Sequence, residues 1–376
     1  MSPSTVSRPD FAAALIWASR SLPARPLNPV LAGIRLKAEN GVLLVSSFDL
    51  DQSSSSSLAY EGADLDVIVS GRLLVDVVRN LPGDRVSISE KGPVLTIESG
   101  RSSFSLMKLP LDTYPSLPTV PPLFGRVSGQ EFAEATARVC FAASADTTTP
   151  VLTTVMLEAS GEKRELKFAA TDKFCLATTT IPYDPEEGSE ESETRVFLVP
   201  AKVLDAYGKN LAKESMIGLH AASEGQSIFG VSGAKENSTT RVFGGEYPKY
   251  EPLINGAFTI EAEIRPSELV EAVKRVSLLA DPGQGIRLSF SEGALEVSTL
   301  SRGGPSASAS ASETLELDYA GEEIELVFNP TYLTTGLGHF DTGSVRMQMT
   351  APGRPVKFTT GQEDDPFVFL AMPLRV

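Results

Sequence analysis

Enzyme chemistry usually needs a base, a nucleophile or a metal ligand, and this chain of 376 residues offers few of them. It has two histidines, His220 and His339, and two cysteines, Cys140 and Cys175. A Ser-His-Asp triad or a His-based metal site would have to rest on one of those histidines, and neither sits in a partner motif. His339 falls at the end of a predicted helix, where a structural or solvent-facing role is expected. Both cysteines lie among apolar neighbours, which predicts reduced core residues, and two of them build no disulfide framework. No Gly-rich loop leads into Lys and Ser/Thr, so there is no phosphate cradle. "GQGIRLSF" and "GLGHF" carry glycines without the strand-before, helix-after context of a dinucleotide site. Carboxylates are plentiful, but the acidic run "DPEEGSEESE" (184–193) has no metal-ligand spacing and reads as a solvated loop. No catalytic residue, metal or cofactor is expected, and a binding or scaffolding role is favoured over catalysis.

The composition is that of a globular chain, 41% hydrophobic and 22% charged, and its length suits two or three domains. The net charge of -15 argues against a protein coated in positive charge. Nucleic-acid binding stays open, because what matters is where the cations sit. No apolar run approaches the ~20 residues of a membrane helix. The start "MSPSTVSRPDF" lacks a basic region followed by an apolar stretch, so no secretion signal is expected. A cytoplasmic location is the default.

The elements that must position any site repeat three times. "RPDFAAALIWASRSL" (8–22), "SGQEFAEATARVCFAAS" (128–144) and "RPSELVEAVKRVSLLA" (265–280) each show apolar residues at helical spacing behind a polar, acid-bearing start. Aligning Phe11, Phe132 and Leu269 gives steps of 121 and 137 residues. A second helix follows each first one: "VSGRLLVDVVRNL", "VPAKVLDAYGKNL" and "FNPTYLTTGLGHF". Aligning Leu74, Leu204 and Leu333 gives steps of 130 and 129. Two-residue alternations such as "RVSIS", "SFSLM", "VRMQM" and "PVKFT" read as half-buried strands.

Each unit is therefore an α+β domain, antiparallel sheet with two helices, and the chain a triplication with boundaries at 1–123, 124–256 and 257–376. Pro-rich joints, "YPSLPTVPPLFG" and "YPKYEPLINGAF", fall near those boundaries. "SSSSS" (53–57) and "SASASAS" (306–312) resemble linkers by composition, but their equivalent places in units one and three favour small-residue strands. Like domains joined head to tail close into rings when the rotation allows, and six would come from two chains.

At this point the chain resembles a known family, the bacterial sliding clamp, the beta subunit of DNA polymerase III. The resemblance covers nearly the whole chain. It is carried in order by "RPLNPVLAGIRL", "VSGRLL", "YPSLPT", "TPVLTTV", "AATDKFCLA", "LVPAK", "YPKY", "VFNPTYL" and the terminal "MPLR". It implies a non-catalytic processivity factor: a head-to-tail homodimeric ring that encircles duplex DNA without reading its sequence. It also implies as partners a clamp loader, the replicative polymerase and repair proteins that dock through short peptides. Candidate phosphate contacts by that match are Arg25, Arg72, Arg79, Arg138 and Lys202, with Lys209, Lys274 and Arg275 as weaker ones. Acids on the same helices, among them Asp76, Glu134, Asp205, Glu268 and Glu271, predict a mildly basic inner surface.

The terminal "FVFLAMPLRV" has a place in this reading. In the family the last strand helps wall a peptide groove. Residue by residue, that wall is expected from Leu152, Thr171, Leu176, Pro248, Leu253, Asn329, Tyr332, Val356, Met372, Pro373 and Leu374. Phe367–Leu370 is expected to be core strand, and Pro373, which cannot donate to a ladder, suits the segment leaving the sheet. Ring closure is expected to use Phe104 and Leu106 on one side and Leu278 and Leu279 on the other, with core packing as the competing role for each.

Two positions depart from the pattern. Relatives commonly carry Arg where this chain has Cys175, and many carry Arg where it has Thr149. Loss of two cations there points to a second reading, a specialised paralogue with an altered groove that tolerates a clamp-directed antibiotic. From other classes, an enzyme on triplicated α+β domains and an acidic binding module that never encircles DNA stand as rivals.

Overall fold

The computed structural model describes residues 4–26, 28–186, 194–222, 227–281, 283–300, 310–319, 321–362 and 365–375. All six expected helices form: α1 (Arg8–Ala18), α2 (Gly71–Asn80), α3 (Gly129–Cys140), α4 (Ala201–Leu211) and, after a single turn α5 (Glu251–Ile254), α6 (Pro266–Ser277) and α7 (Pro330–Leu337). Side chains cap the starts of α1, α3 and α7, while α2, α4 and α6 have no side-chain cap. Ser7 Oγ accepts from Asp10 N, Ser128 Oγ from Glu131 N and Asn329 Oδ1 from Thr331 N. The aligned positions Phe11, Phe132 and Leu269, and Leu74, Leu204 and Leu333, are all fully buried. Each contributes about 1.5–3 kcal/mol by leaving water, which is why these positions recur while the exposed faces drift.

Contacts divide the chain into two compact units. One comprises Met1–Val127, Pro185–Ser189 and Glu214–Val242. Its sheet has thirteen strands, in the order Ser4–Ser7, Arg85–Lys91, Val94–Ser99, Ser102–Leu109, Leu65–Ser70, Gly33–Glu39, Val42–Phe48, Gln52–Ala59, Glu236–Arg241, Ile228–Ser232, Met216–Ala221, Leu123–Ser128 and Asp184–Pro185. The serine run is strand Gln52–Ala59, as expected. It pairs antiparallel with Glu236–Arg241, Ser54 opposite Ser238 and Ser53 opposite Thr239. Buried hydroxyls meet across that seam, Ser53 Oγ to Thr239 Oγ1 at 2.7 Å and Ser54 Oγ to Ser238 Oγ at 3.1 Å. Each hydroxyl thus has a partner, which a buried polar group requires. The second serine-alanine run lies outside the described residues up to position 309, and strand Ser312–Glu316 follows it. Most of the acidic run, 187–193, also lies outside them.

The other unit comprises Ser128–Asp184, Glu190–Lys213 and Phe243–Val376. Its larger sheet runs Thr194–Pro200, Thr154–Ser160, Glu165–Thr171, Cys175–Pro182, Val368–Ala371, Val356–Thr359, Val345–Met349 and Ile260–Ile264. A smaller one runs Ser312–Glu316, Ala294–Thr299, Ile286–Ser291 and Ile324–Phe328. The compact units therefore do not follow the sequence repeats. Strand Glu236–Arg241 joins the first repeat's sheet through Gln52–Ala59, and strand Cys175–Pro182 joins the third's through Val368–Ala371. The middle repeat is shared because its two outer strands each find a ladder partner in a neighbouring repeat.

Helix α7 shows how closely the elements approach. A Cβ at Gly336 would overlap the ring of Phe369, itself fully buried in strand Val368–Ala371. The Gly336→Ala substitution is expected to cost about 1–3 kcal/mol of stability despite alanine's better helix propensity, read as a lower urea midpoint at unchanged slope.

Candidate functional site

The terminal segment is fixed by two hydrogen bonds on either side of the one residue that cannot donate. Met372 N–H donates to Phe174 O at 2.8 Å, and Leu374 N–H donates to Val327 O at 2.7 Å. Pro373 lies between them, after strand Val368–Ala371 has ended. Phe367, Phe369 and Leu370 are buried, so the first half of the decapeptide is core.

Opposite Met372 stands the hairpin loop 171–175, and its own polar groups hold it. Asp172 Oδ1 accepts from Phe174 N at 2.9 Å and Cys175 N at 2.8 Å. Asp172 Oδ2 accepts from Tyr332 Oη at 2.5 Å. Thr171 Oγ1 donates to Cys175 O at 2.6 Å and accepts from Lys173 N at 3.1 Å, while Thr171 N donates to Tyr247 Oη at 3.0 Å. Lys173 takes a left-handed φ of 83°, a conformation costly for a non-glycine residue, which these bonds impose. Burial and then the Asp172 carboxylate push the Tyr332 phenol well above its ordinary range, so it acts as a fixed donor. Held this way, Phe174 projects its ring outward, 54% exposed.

Beneath the loop lies a small apolar cluster of Met156, Ala169, Leu176, Leu198, Tyr250 and Leu370, with Tyr247 and Ile254 packed against it. Tyr247 and Tyr250 meet edge to face at 6.4 Å. Of the expected wall residues, Pro248 and Leu253 are exposed, and Asn329, Tyr332, Met372 and Leu374 are half-buried. Leu152, Thr171, Leu176 and Pro373 are buried. Val356 is buried like these. It is 1% exposed, paired with Ala371 inside the sheet, and its side chain belongs to the core. Asp172, Phe174, Tyr247 and Tyr250 were missed as site residues, although "AATDKFCLA" and "YPKY" contain all four. The signal available was the Asp one residue beyond an alternating strand, a residue type that turns the chain by bonding its own backbone.

Cys175 is not a surface residue of this site. It is buried, its Sγ lies 3.8 Å from Ala142 O, and burial pushes its thiol far above the ordinary range. Removing the Tyr332 hydroxyl should release one anchor of the loop. Tyr332→Phe is expected to cost about 1 kcal/mol in stability, read by chemical denaturation, and to raise hydrogen exchange at Phe174 and Cys175 N–H.

The candidate phosphate contacts differ in how far they are engaged. In the first unit Arg25, Arg72 and Arg79 are exposed. Arg72 and Arg79 lie seven residues apart on α2, hence on one face. Arg72 Nη2 donates to Pro23 O at 3.4 Å, while among the described residues Arg25 and Arg79 make no ion pair. In the second unit Lys202 is exposed and likewise unpaired among the described residues. Arg138 is engaged elsewhere: its Nη1 lies 3.2 Å from Asp365 Oδ1 and its guanidinium over the Phe367 ring. Lys209 pairs with Asp205 at 2.6 Å and Lys274 with Glu271 at 3.0 Å, and Arg275 grips Glu313 with two hydrogen bonds at 2.9 and 2.6 Å.

The residues expected at a chain-chain junction also separate. Phe104 is 42% exposed and Leu278 and Leu279 are exposed just after α6, whereas Leu106 sits in the first unit's core. Strand Ser102–Leu109 pairs with Leu65–Ser70 at Leu109 and Lys108, and among the described residues 102–107 has no ladder partner on that side. His339 is half-buried and stacked on Phe141, ring centroids 4.9 Å apart. Among the described residues no three His, Cys, Asp or Glu side chains gather to hold a metal, and no helix is long and apolar enough to cross a membrane.

Antiparallel sheet flanked by helices, built from three sequence repeats, defines an α+β fold. Comparison with known proteins gives the family. Residues 4–118, 126–249 and 253–375 match the N-terminal, central and C-terminal domains of the DNA polymerase III beta subunit. The beta sliding clamp of Streptomyces coelicolor is 38% identical, covering 99% of this chain and 98% of the relative. The beta sliding clamp homolog GriR of Streptomyces muensis is 32% identical over 98% of both. The chain belongs to the beta sliding clamp family. The Bacillus subtilis sliding clamp structure superposes with a TM-score of 0.90 at 23% identity over 99% of both chains. A Pseudomonas aeruginosa clamp bound to griselimycin gives 0.89 at 23% identity over 100% of both.

Proposed function

We propose that this protein is a non-catalytic DNA sliding clamp: two chains close into a ring around duplex DNA and tether the replicative polymerase in the cytoplasm. The observation that carries this reading is the family match over three consecutive domains along nearly the whole chain. The edge of 102–107 and the exposed Phe104 meet Leu278, Leu279 and the edge strand Ser312–Glu316 of a second chain, head to tail. Arg25, Arg72, Arg79 and Lys202 touch phosphates, and Arg138 must first leave Asp365 to do so. Backbone contacts of this kind carry no sequence information, which sliding requires. The clamp loader, the polymerase and repair proteins dock short peptides between Phe174 and Met372, over the Tyr247–Tyr250 floor. A pliable methionine suits several partners. Solution mass and particle images test the assembly: two chains around a central hole are expected, and a monomer with no through-channel at working concentration overturns it.

A second reading, a specialised clamp tolerant of a clamp-directed antibiotic, draws on Thr149 and Cys175. The family resemblance leads one to expect arginine at both, and Cys175 fills a buried spot under the loop that a guanidinium cannot occupy without reshaping it. The test is affinity for griselimycin and for a polymerase peptide, in the natural chain and in Cys175→Arg. A change of tenfold or more in their ratio is expected, and equal values in both chains remove the idea.

A further inference from the structure

We propose that the cavity behind the terminal segment receives an acidic flank of the docked peptide. The inference rests on the peptide-groove reading and extends that groove past Leu374. About 460 Å³ of space is bounded by Pro373, Leu374, Arg375, Gly353, Arg287 and Glu325. Pro373 and Leu374 belong to the groove wall, so the cavity continues it.

The space is built into the fold. Gly353 turns the neighbouring hairpin at a φ of 75°. A Cβ at Gly285 would overlap Val327 and press on Leu374, so glycine there lets the terminal segment lie flat. Leu374 N–H bonds to Val327 O and holds Arg375 at the mouth.

The charge balance selects the occupant. Arg287 Nε stands 3.8 Å from Glu325 Oε2, too far for a hydrogen bond. Arg375 is exposed and makes no ion pair among the described residues. The cavity is thus lined by two guanidiniums and one carboxylate, Glu325, which neither of them hydrogen-bonds, on a chain whose net charge is -15. An incoming Asp or Glu finds donors that no internal acid has saturated, in the fork geometry that suits carboxylates. A basic flank meets two like charges, and a neutral one leaves both guanidiniums in water and gains little. The partner class is thus a peptide with one or two carboxylates beside its apolar anchors.

Fluorescence anisotropy with the clamp-binding segment of the host's replicative polymerase tests this. The segment is made with its flanks replaced on both sides by Asp-Asp, Asn-Asn or Lys-Lys. The Asp form is expected to bind about fivefold tighter than the Asn form, the Lys form weakest, with the gap closing as salt rises. In the Arg287→Gln, Arg375→Gln double variant the preference should vanish. Equal affinities for the Asp and Asn forms in the natural chain, or a preference that survives the double variant, overturn the proposal while leaving the groove intact. Failure of all three peptides to bind removes the groove reading and this proposal with it.

Discussion

Leu278→Asp with Leu279→Asp is expected to convert the protein to a folded single chain and to abolish its retention on circular DNA. Leu278 is 82% exposed and Leu279 49%, directly after α6, so the isolated chain loses little by their replacement. Exposed leucines side by side mark a surface meant to be covered. In a closed ring each junction would bury both, and two carboxylates would then stand dehydrated against Phe104 of the other chain. Losing two apolar anchors and burying two charges should weaken each junction roughly a thousandfold. Ring closure uses two junctions, so the effect on the dimer compounds. Sedimentation should show one chain, and the unfolding midpoint of the monomer should stay within the small range of surface changes. A variant that stays dimeric would place the junction elsewhere on the molecule. Leu106→Asp is the informative contrast: that residue packs in the first unit's core, so its replacement should unfold rather than dissociate.

The second large effect concerns DNA. Converting Arg25, Arg72, Arg79 and Lys202 together to Gln should lower the slope of log affinity against log salt by roughly three to four, at about 0.9 per lost phosphate contact. Converting Lys274 and Arg275 should change it little. The difference follows from where the carboxylates are. Arg275 already holds Glu313 by two hydrogen bonds and Lys274 holds Glu271, so their charge is neutralised within the chain. Arg25, Arg79 and Lys202 have no such partner among the described residues. Duplex binding by anisotropy across a salt series separates the two sets. A slope change for the Lys274 and Arg275 variant about half that of the fourfold variant, in proportion to the charges removed, would show that net charge, not placement, governs the contact.

The repeat was legible because it rests on local signals. Six helices with apolar residues at helical spacing, in the same order at near-constant lag, announce themselves in one dimension, and Phe11, Phe132 and Leu269 then fill equivalent buried positions. The serine strand was legible only by analogy between repeats. What stabilises it, hydroxyl pairing between Ser53 and Thr239, joins residues far apart in sequence. The groove was half legible. Its expected wall residues come from six separate segments, and how far each side chain is buried depends on ladder register, as at Val356, which pairs with Ala371. The engagement of Arg138 with Asp365 could not be read locally either, because no short-range pattern links positions so distant. Cys175 shows the same limit. Its type signalled a departure, but only the loop's geometry shows that it lies buried while its neighbour Phe174 is exposed.

The central claim is that hold on DNA comes from enclosure. The direct measurement is retention on a nicked circular plasmid after loading, followed by cutting the plasmid once. Stable retention on the circle at salt that abolishes binding to a short duplex, and release on linearisation, is the predicted result. Equal retention on circular and linear DNA would contradict it.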